Sequence, residues 1–144
     1  LEELLKKVED CAKGAELSSG ARLEFTRDEN PYMSRNVNKT LGAAFSKNMK
    51  AIGEETHTVE QGKGLGSSDI GNVSHVTPTI HPYMGISKIE INGHSTDFAE
   101  AASSEYGNEQ MLKITKALAM TAIDVFTKPE LVREMKEEFD MTKK

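Results

Sequence analysis

Cysteine, tryptophan and long hydrophobic runs are the features that this sequence has least of. Its 144 residues include one cysteine, Cys11, so the chain forms no internal disulfide, which is typical of a reducing cytoplasm. No apolar run approaches the roughly 18 residues that are needed to cross a bilayer. The net charge of −5 gives no electrostatic reason to expect nucleic acid or an anionic membrane. The sequence therefore predicts a cytoplasmic protein that binds neither nucleic acid nor membrane.

Helical periodicity is the main structural signal in what the sequence does contain. Leu and Val residues recur at helical spacing near the start, and the "SSG" at 18–20 ends that pattern. Asn38 is the predicted N-cap of a second helix that stops at Gly53, and Pro129 opens the last helix. The spacing predicts helices over 1–17, 38–53, 97–102 (capped by Asp97 with Glu100), 108–126 and from 129 onward.

Extended segments are fewer than the helices. "ARLEFT" at 21–26 alternates apolar and polar residues, a second extended piece covers 32–37, and "GISKIEI" at 85–91 reads as a strand. The pattern predicts an α/β fold with too few strands to make a complete sheet. Because the sequence also begins with Leu1 inside a helical pattern, we expect a piece of a longer protein that supplies the other strands.

The glycine-rich stretch "GKGLGSSD" at 62–69 raises the possibility of a phosphate-binding loop. Its backbone amides and Lys63 suit an anion, but it lacks the Walker order of Gly-Lys-Ser/Thr at the end of the loop. It resembles the Gly-Leu-Gly-Ser-Ser loop of GHMP-type small-molecule kinases, where a helix follows. Gly71 and Asn72 stand where that helix should begin, which argues against the phosphate interpretation.

Histidines and paired carboxylates offer weaker signals. His75, His81 and His94 show neither H-x-H nor H-x-x-x-H spacing, so the pattern alone favours structural or surface roles for them. Glu54 and Glu55 form an adjacent carboxylate pair, a possible general base. Since they follow Gly53 at the end of a helix, the simpler interpretation is solvated charge.

A longer spaced pattern is more specific than any of these parts. It consists of Ser68, Asp69, Gly71, Asn72, Val73 and Ser74, then Pro78 and Thr79, then His94 and Ser95 ahead of the C-terminal helices. This order resembles the C-terminal part of the zinc-dependent aminoacylase/carboxypeptidase-like metallopeptidase superfamily, in the branch similar to aminobenzoyl-glutamate hydrolase. "NVNKTLGAAFSKNMKAIG" at 36–53 resembles the return crossing from that family's inserted lid domain.

The resemblance implies a two-domain metallo-amidohydrolase. Residues 1–36 would be the end of an α+β lid or dimerisation domain, and 37–144 the C-terminal portion of the α/β catalytic domain. His94 would be a ligand of one of two divalent metal ions, usually zinc, and the 68–74 stretch would face the substrate through Ser68, Asp69, Gly71 and Asn72. The parent would be a homo-oligomer, with a dimer expected, that cleaves an amide bond in a small N-acyl-amino acid or dipeptide.

The family's other metal ligands and its Glu-Glu general base lie in an earlier segment that this sequence does not match. We therefore expect no catalytic residue within these 144 residues and no activity from them alone. The alternatives are a non-catalytic binding or oligomerisation module and, more weakly, a GHMP-like kinase fragment.

Overall fold

The computed structural model describes residues 1–26, 30–58 and 66–143. The chain divides into two compact units, Leu1–Pro31 and Tyr32–Lys144. The predicted domain boundary at 36/37 falls inside the second unit, and the assignment of lid and catalytic domains stays a prediction. None of the helices in these ranges is both long enough and apolar enough to cross a membrane.

The first unit is built around helix α1, Glu2–Ser19. Gly20 ends the helix in the left-handed conformation, with φ 71°, and its N–H donates to the Glu16 carbonyl oxygen at 2.9 Å. No residue of α1 is buried, and ion pairs such as Lys13–Glu9 at 2.6 Å decorate its surface. The predicted helix and its glycine stop are therefore confirmed, although its apolar side is uncovered by the described part of the first unit.

The second unit is helical, and its helix bounds agree closely with the periodicity. The helices are α2 (Lys39–Ala51), α3 (Ile70–Val73), α4 (Thr96–Ser103), α5 (Glu105–Thr127) and α6 (Pro129–Thr142). Pro129 occupies the first turn of α6, where its missing N–H has no intrahelical partner to lose. α5 packs on α2, α4 and α6, and α2 packs on α6 as well, so α5 is the central helix of this unit.

A small apolar core joins α2 to α5. Phe45, Met49 and Ala117 are buried, and Ile52, Ile80, Met84 and Ile114 pack around them. Beside this core, the buried Asn48 amide donates to the Thr121 hydroxyl and to the Asp124 carboxylate, both at 3.0 Å. Because every one of these polar groups has a partner, burying the amide carries little penalty.

The start of α2 is fixed by two side chains. Asn38 is 3% exposed; its Oδ1 accepts from the Leu41 N–H and its Nδ2 donates to the Met135 carbonyl oxygen, both at 2.9 Å. The Glu138 carboxylate of α6 accepts from the N–H groups of Lys39 at 2.7 Å and Thr40 at 2.8 Å. Burial raises the Glu138 pKa, but these hydrogen bonds outweigh burial and leave it below its ordinary value. The prediction of Asn38 as a helix cap is confirmed.

The predicted strands are largely absent from the part of the chain that the structure describes. Neither 21–26 nor 85–91 forms a strand, and 32–37 contributes only one isolated parallel bridge, between Val37 and Thr79. The α/β prediction is therefore not met by these helical units. A strand needs a neighbouring strand for its N–H and C=O groups, and the described N–H groups of Leu23, Met33 and Asn36 bond side chains instead.

The cap of α4 is also a correction. Asp97 and Glu100 were predicted to form a capping box, but Ser95 is the N-cap, and its Oγ accepts from the Phe98 N–H at 3.1 Å. The same hydroxyl donates to the Asn92 carbonyl oxygen at 2.7 Å. The Ser95 hydroxyl therefore both closes the "NGHS" turn and caps the first turn of α4.

One side of α5 is apolar and exposed, although apolar residues of this kind are usually buried against another element. Ile123 is 60% and Phe126 86% exposed, and Met111, Leu112 and Leu118 share this face. No described residue covers these side chains. Exposed apolar groups on one continuous face favour association with another surface.

We expect this chain to self-associate in solution through that face. Changing Leu112 and Ile123 to lysine places two charges on the face and should shift the mass in light scattering towards that of a monomer. Leu17→Lys is the matched control, because Leu17 is 89% exposed on α1, outside the α5 face. A wild-type chain that is already monomeric at high concentration would contradict this expectation.

Candidate functional site

The 68–75 loop contains the predicted substrate-facing residues, and it is more ordered than the sequence indicated. Ile70–Val73 forms one helical turn, α3, although Gly71 and Asn72 were expected to prevent a helix there. The Ser68 carbonyl oxygen accepts from the Gly71 N–H at 3.1 Å, and that of Asp69 from the Asn72 N–H at 2.9 Å. A single turn has little aligned dipole, so α3 adds no support for a phosphate site. Residues Gly62–Leu65 of the predicted phosphate loop lie outside the described residues.

Hydrogen bonds fix this loop to the 33–36 segment. The Met33 N–H donates to Asn72 Oδ1 at 3.1 Å, and the Asn36 N–H donates to Ser74 Oγ at 2.8 Å. His75 Nε2 lies 2.9 Å from the Ser34 carbonyl oxygen. These contacts lie at residues 33, 34 and 36, so the backbone of the segment is bonded to the loop at three points.

Gly71 is the point of closest approach between the loop and the segment. A Cβ atom built on Gly71 would lie 1.8 Å from the Met33 carbonyl oxygen and 2.8 Å from its carbonyl carbon. Any other residue would force two backbone stretches apart. The glycine therefore serves contact within the chain, whereas the sequence interpretation assigned it to close approach of substrate.

The four predicted substrate-binding residues have different surroundings. Gly71 is buried and Asn72 half-buried, and both contact the 33–36 segment. Ser68 is half-buried, and its Oγ accepts from the Ile70 N–H at 3.3 Å. Asp69 is exposed, and its carboxylate accepts no hydrogen bond from the first turn of α3. α3 therefore gives no support to a structural role for Asp69, in which its side chain would organise the loop through an Asx turn. Substrate contact by these residues stays a prediction, and Asp69 and Ser68 are the two with accessible polar groups.

His94 lies at the far end of the "NGHS" turn, directly before α4. It is exposed, and with φ 57° it is a non-glycine residue in the left-handed region, which costs on the order of 1 kcal/mol. No cluster of three or more His, Cys, Asp or Glu side chains suited to a metal occurs within 1–26, 30–58 and 66–143. One imidazole does not make a metal site, so the described residues do not by themselves fit the implied zinc.

His81, His57 and Glu54 differ in their surroundings. The His81 ring lies 4.8 Å from the Tyr83 ring, and Arg35 Nη1 donates to the Tyr83 hydroxyl at 3.0 Å. His57 is exposed. Glu54 pairs with Lys113 at 2.7 Å, and the hydrogen bond in this pair raises the Lys113 pKa. An ion-paired carboxylate is a poor general base, because its partner stabilises the charged form.

Ser74 has a role that the sequence analysis did not assign to it. The spaced pattern includes Ser74, but only as part of a stretch expected to face the substrate. Ser74 is 2% exposed, and its hydroxyl both donates to the Gly71 carbonyl oxygen at 2.6 Å and accepts from Asn36. Its position three residues after Gly71 permits the local bond. Its second partner lies 38 residues away and could not be read from that spacing.

Two curated proteins are similar to this chain. The Xaa-Arg dipeptidase of Homo sapiens is 40% identical over 144 residues, and that of Mus musculus is 40% identical over 142 residues. The matches cover 98% and 96% of this chain but 33% and 32% of the relatives, so the chain spans about one third of their length. No protein-family model matches the chain.

Proposed function

This chain is a relative of the Xaa-Arg dipeptidases, as the resemblance to the aminoacylase/carboxypeptidase-like peptidases predicted, and on that premise we propose that it is part of a peptide-hydrolysing enzyme. The parent protein cleaves the amide bond of a small dipeptide or N-acyl-amino acid. The observation that carries this proposal is 40% identity over nearly the whole chain. At that level, related chains generally share a fold, whereas the substrate depends on the site residues.

The substrate class follows from the relatives and from the chemistry of the loop. Both relatives are named for dipeptides that end in arginine. The exposed Asp69 carboxylate offers a negative group that suits a guanidinium or an ammonium. A dipeptide that ends in arginine is therefore the first substrate to test.

Metal dependence is the finer part of the proposal. The spaced pattern resembles that of the metallopeptidases, and by this resemblance His94, an exposed imidazole, would be one ligand of a metal in the parent. The other ligands and the general base belong to segments outside these 144 residues. A divalent metal ion, zinc by resemblance, supplies Lewis acidity when bound. The role of this chain is to present His94 and the 68–75 loop, and the chain alone has no activity.

The domain organisation is part of the same proposal. Residues 1–36 are the end of the lid domain, and 37–144 are the C-terminal portion of an α/β catalytic domain. The isolated bridge between Val37 and Thr79 supports this, because it places two extended segments in the parallel register that is typical of α/β sheets. Strands of the parent pair with these segments and complete the sheet.

The exposed face of α5 also favours a second candidate function, that of an oligomerisation module. The parent enzyme is proposed to be a cytoplasmic homo-oligomer, and association through α5 without any hydrolysis would favour the module instead. The GHMP-like kinase alternative rests on the 62–69 stretch, of which residues 62–65 lie outside the described residues, and saturable binding of ATP with magnesium is the result that would support it.

Expression of the full-length reading frame tests the enzyme proposal. We expect the product to release free arginine from Ala-Arg, while the 144-residue chain, assayed beside it at equal concentration, releases none. A full-length product that hydrolyses no dipeptide and no N-acyl-amino acid would contradict the proposal. Hydrolysis by the short chain alone would instead overturn the expectation that its partners in catalysis lie elsewhere.

A further inference from the structure

Ser74 lies where the candidate substrate loop meets the rest of the second unit. Its hydroxyl donates to the Gly71 carbonyl oxygen at 2.6 Å and accepts from the Asn36 N–H at 2.8 Å. With 2% of its surface exposed, it cannot exchange these partners for water without local opening. One oxygen atom therefore joins the turn of the loop to the backbone of the 33–36 segment.

The 33–36 segment is itself held in place. The Asn36 side chain donates to the Thr142 hydroxyl of α6 at 2.7 Å, and the Asn38 N–H donates to the Thr79 carbonyl oxygen at 3.0 Å. Arg35 donates to Tyr83 from the same segment. Ser74 is therefore bonded to a segment that is itself held in place, and this bond helps to fix the position of the loop.

The accessible residues of the loop lie just beyond this attachment. Ser68 and Asp69 precede Gly71, and their carbonyl oxygens accept from the N–H groups of Gly71 and Asn72. A shift of the turn at Gly71 therefore moves the backbone of Ser68 and Asp69, and their side chains with it. Ser74 acts on Ser68 and Asp69 through Gly71 and has no exposed atom to touch a ligand itself.

We propose that Ser74 is a positioning residue that holds the 68–72 turn in the geometry in which Ser68 and Asp69 meet the substrate. This rests on the proposed function, since it needs a substrate at that loop. Preformed loops bind more tightly because they lose less conformational freedom on binding. Loss of the Ser74 hydroxyl therefore weakens substrate binding more than it slows the chemical step.

Two readouts test the proposal with the variant Ser74→Ala. In the 144-residue chain, the Asn36 amide should exchange with solvent about tenfold faster than in wild type, because its acceptor is gone. In the full-length protein, KM for Ala-Arg should rise about tenfold, with kcat changed by less than about twofold. If Ser74→Ala does not fold, Ser74→Cys keeps the volume and weakens both bonds, and the same two changes are expected in reduced size.

Ser103→Ala is the matched control. It also removes a serine hydroxyl, but that of Ser103 donates to the carbonyl oxygens of Ala99 at 3.3 Å and Glu100 at 3.1 Å, both within α4. Its KM should stay within about twofold of wild type.

Each failure has its own signature. An unchanged exchange rate at Asn36 would refute the hydrogen bond, and faster exchange with unchanged KM would reduce Ser74 to a purely structural residue. No hydrolysis of Ala-Arg by the wild-type full-length protein would remove the proposed function, and with it the substrate role of Ser74, while the exchange result still decides the contact.

Discussion

Replacing His94 with alanine in the full-length protein is expected to lower turnover of Ala-Arg by at least about a hundredfold and to reduce the bound metal. Partners that merely orient a metal ligand are worth about 10- to 100-fold, so loss of the ligand itself should cost more. Because His94 is exposed, its removal leaves no cavity, and the fold should be retained. Metal content by elemental analysis and kcat/KM for Ala-Arg are the measurements.

Two further variants separate metal binding from backbone effects. His94 has φ 57°, and asparagine tolerates that conformation better than alanine does, so His94→Asn removes the imidazole with less strain. His57→Ala removes an exposed histidine to which the resemblance gives no metal role, and it should leave metal and turnover unchanged. Wild-type metal content and turnover in both His94 variants would show that His94 is not a ligand.

Gly71→Ala is expected to be strongly destabilising. Its Cβ would lie 1.8 Å from a backbone oxygen, and backbone cannot move aside as a flexible side chain can. Overpacking of this kind costs about 3 kcal/mol, a large part of the stability of a small domain. Unfolding in urea should show a midpoint lowered by 1 M or more for an m-value of about 2 kcal/mol per M.

Gly66→Ala is the control for that measurement. Gly66 belongs to the same glycine-rich stretch, but a Cβ there would meet nothing within 4 Å. The alanine should be neutral or slightly stabilising, since it reduces the freedom of the unfolded chain. Equal midpoints for the two alanine variants would mean that the loop does not lie against Met33 as described.

Helix ends were predictable because their signals are local. Asn38, Gly20 and Pro129 each act within one turn of their own position, and all three do what the sequence indicated. α4 shows the limit of this reasoning. Ser95 and Asp97 both suit a cap, and the choice depends on the bond from Ser95 to Asn92, which fixes where the turn ends.

Strands were less predictable, because a strand is defined by its neighbours. The alternation at 21–26 indicates a surface with one apolar side, but no ladder forms among the described residues. The same limit applies to the exposed side of α5. The side of this helix towards α2, α4 and α6 is covered, whereas Ile123 and Phe126 on the other side are exposed.

The sequence indicated which positions of the candidate site make close or polar contacts, but it did not indicate which atoms they contact. Gly71 signalled a close approach, and the sequence could not say that the approaching atom is the Met33 carbonyl oxygen. Asn72 signalled a polar contact, and its Oδ1 accepts from the backbone of Met33, 39 residues away. His94 was identified by its place in a spaced pattern, and the metal role predicted for it depends on residues outside this chain.

We propose that this chain is part of a metal-dependent dipeptidase. The most direct test measures the free arginine that the full-length protein releases from Ala-Arg before chelation, after chelation, and after zinc is added back. We predict release that chelation abolishes and zinc restores. Release that continues undiminished after complete removal of metal would contradict the metal-dependent assignment, and no release under any of the three conditions would contradict the dipeptidase assignment itself.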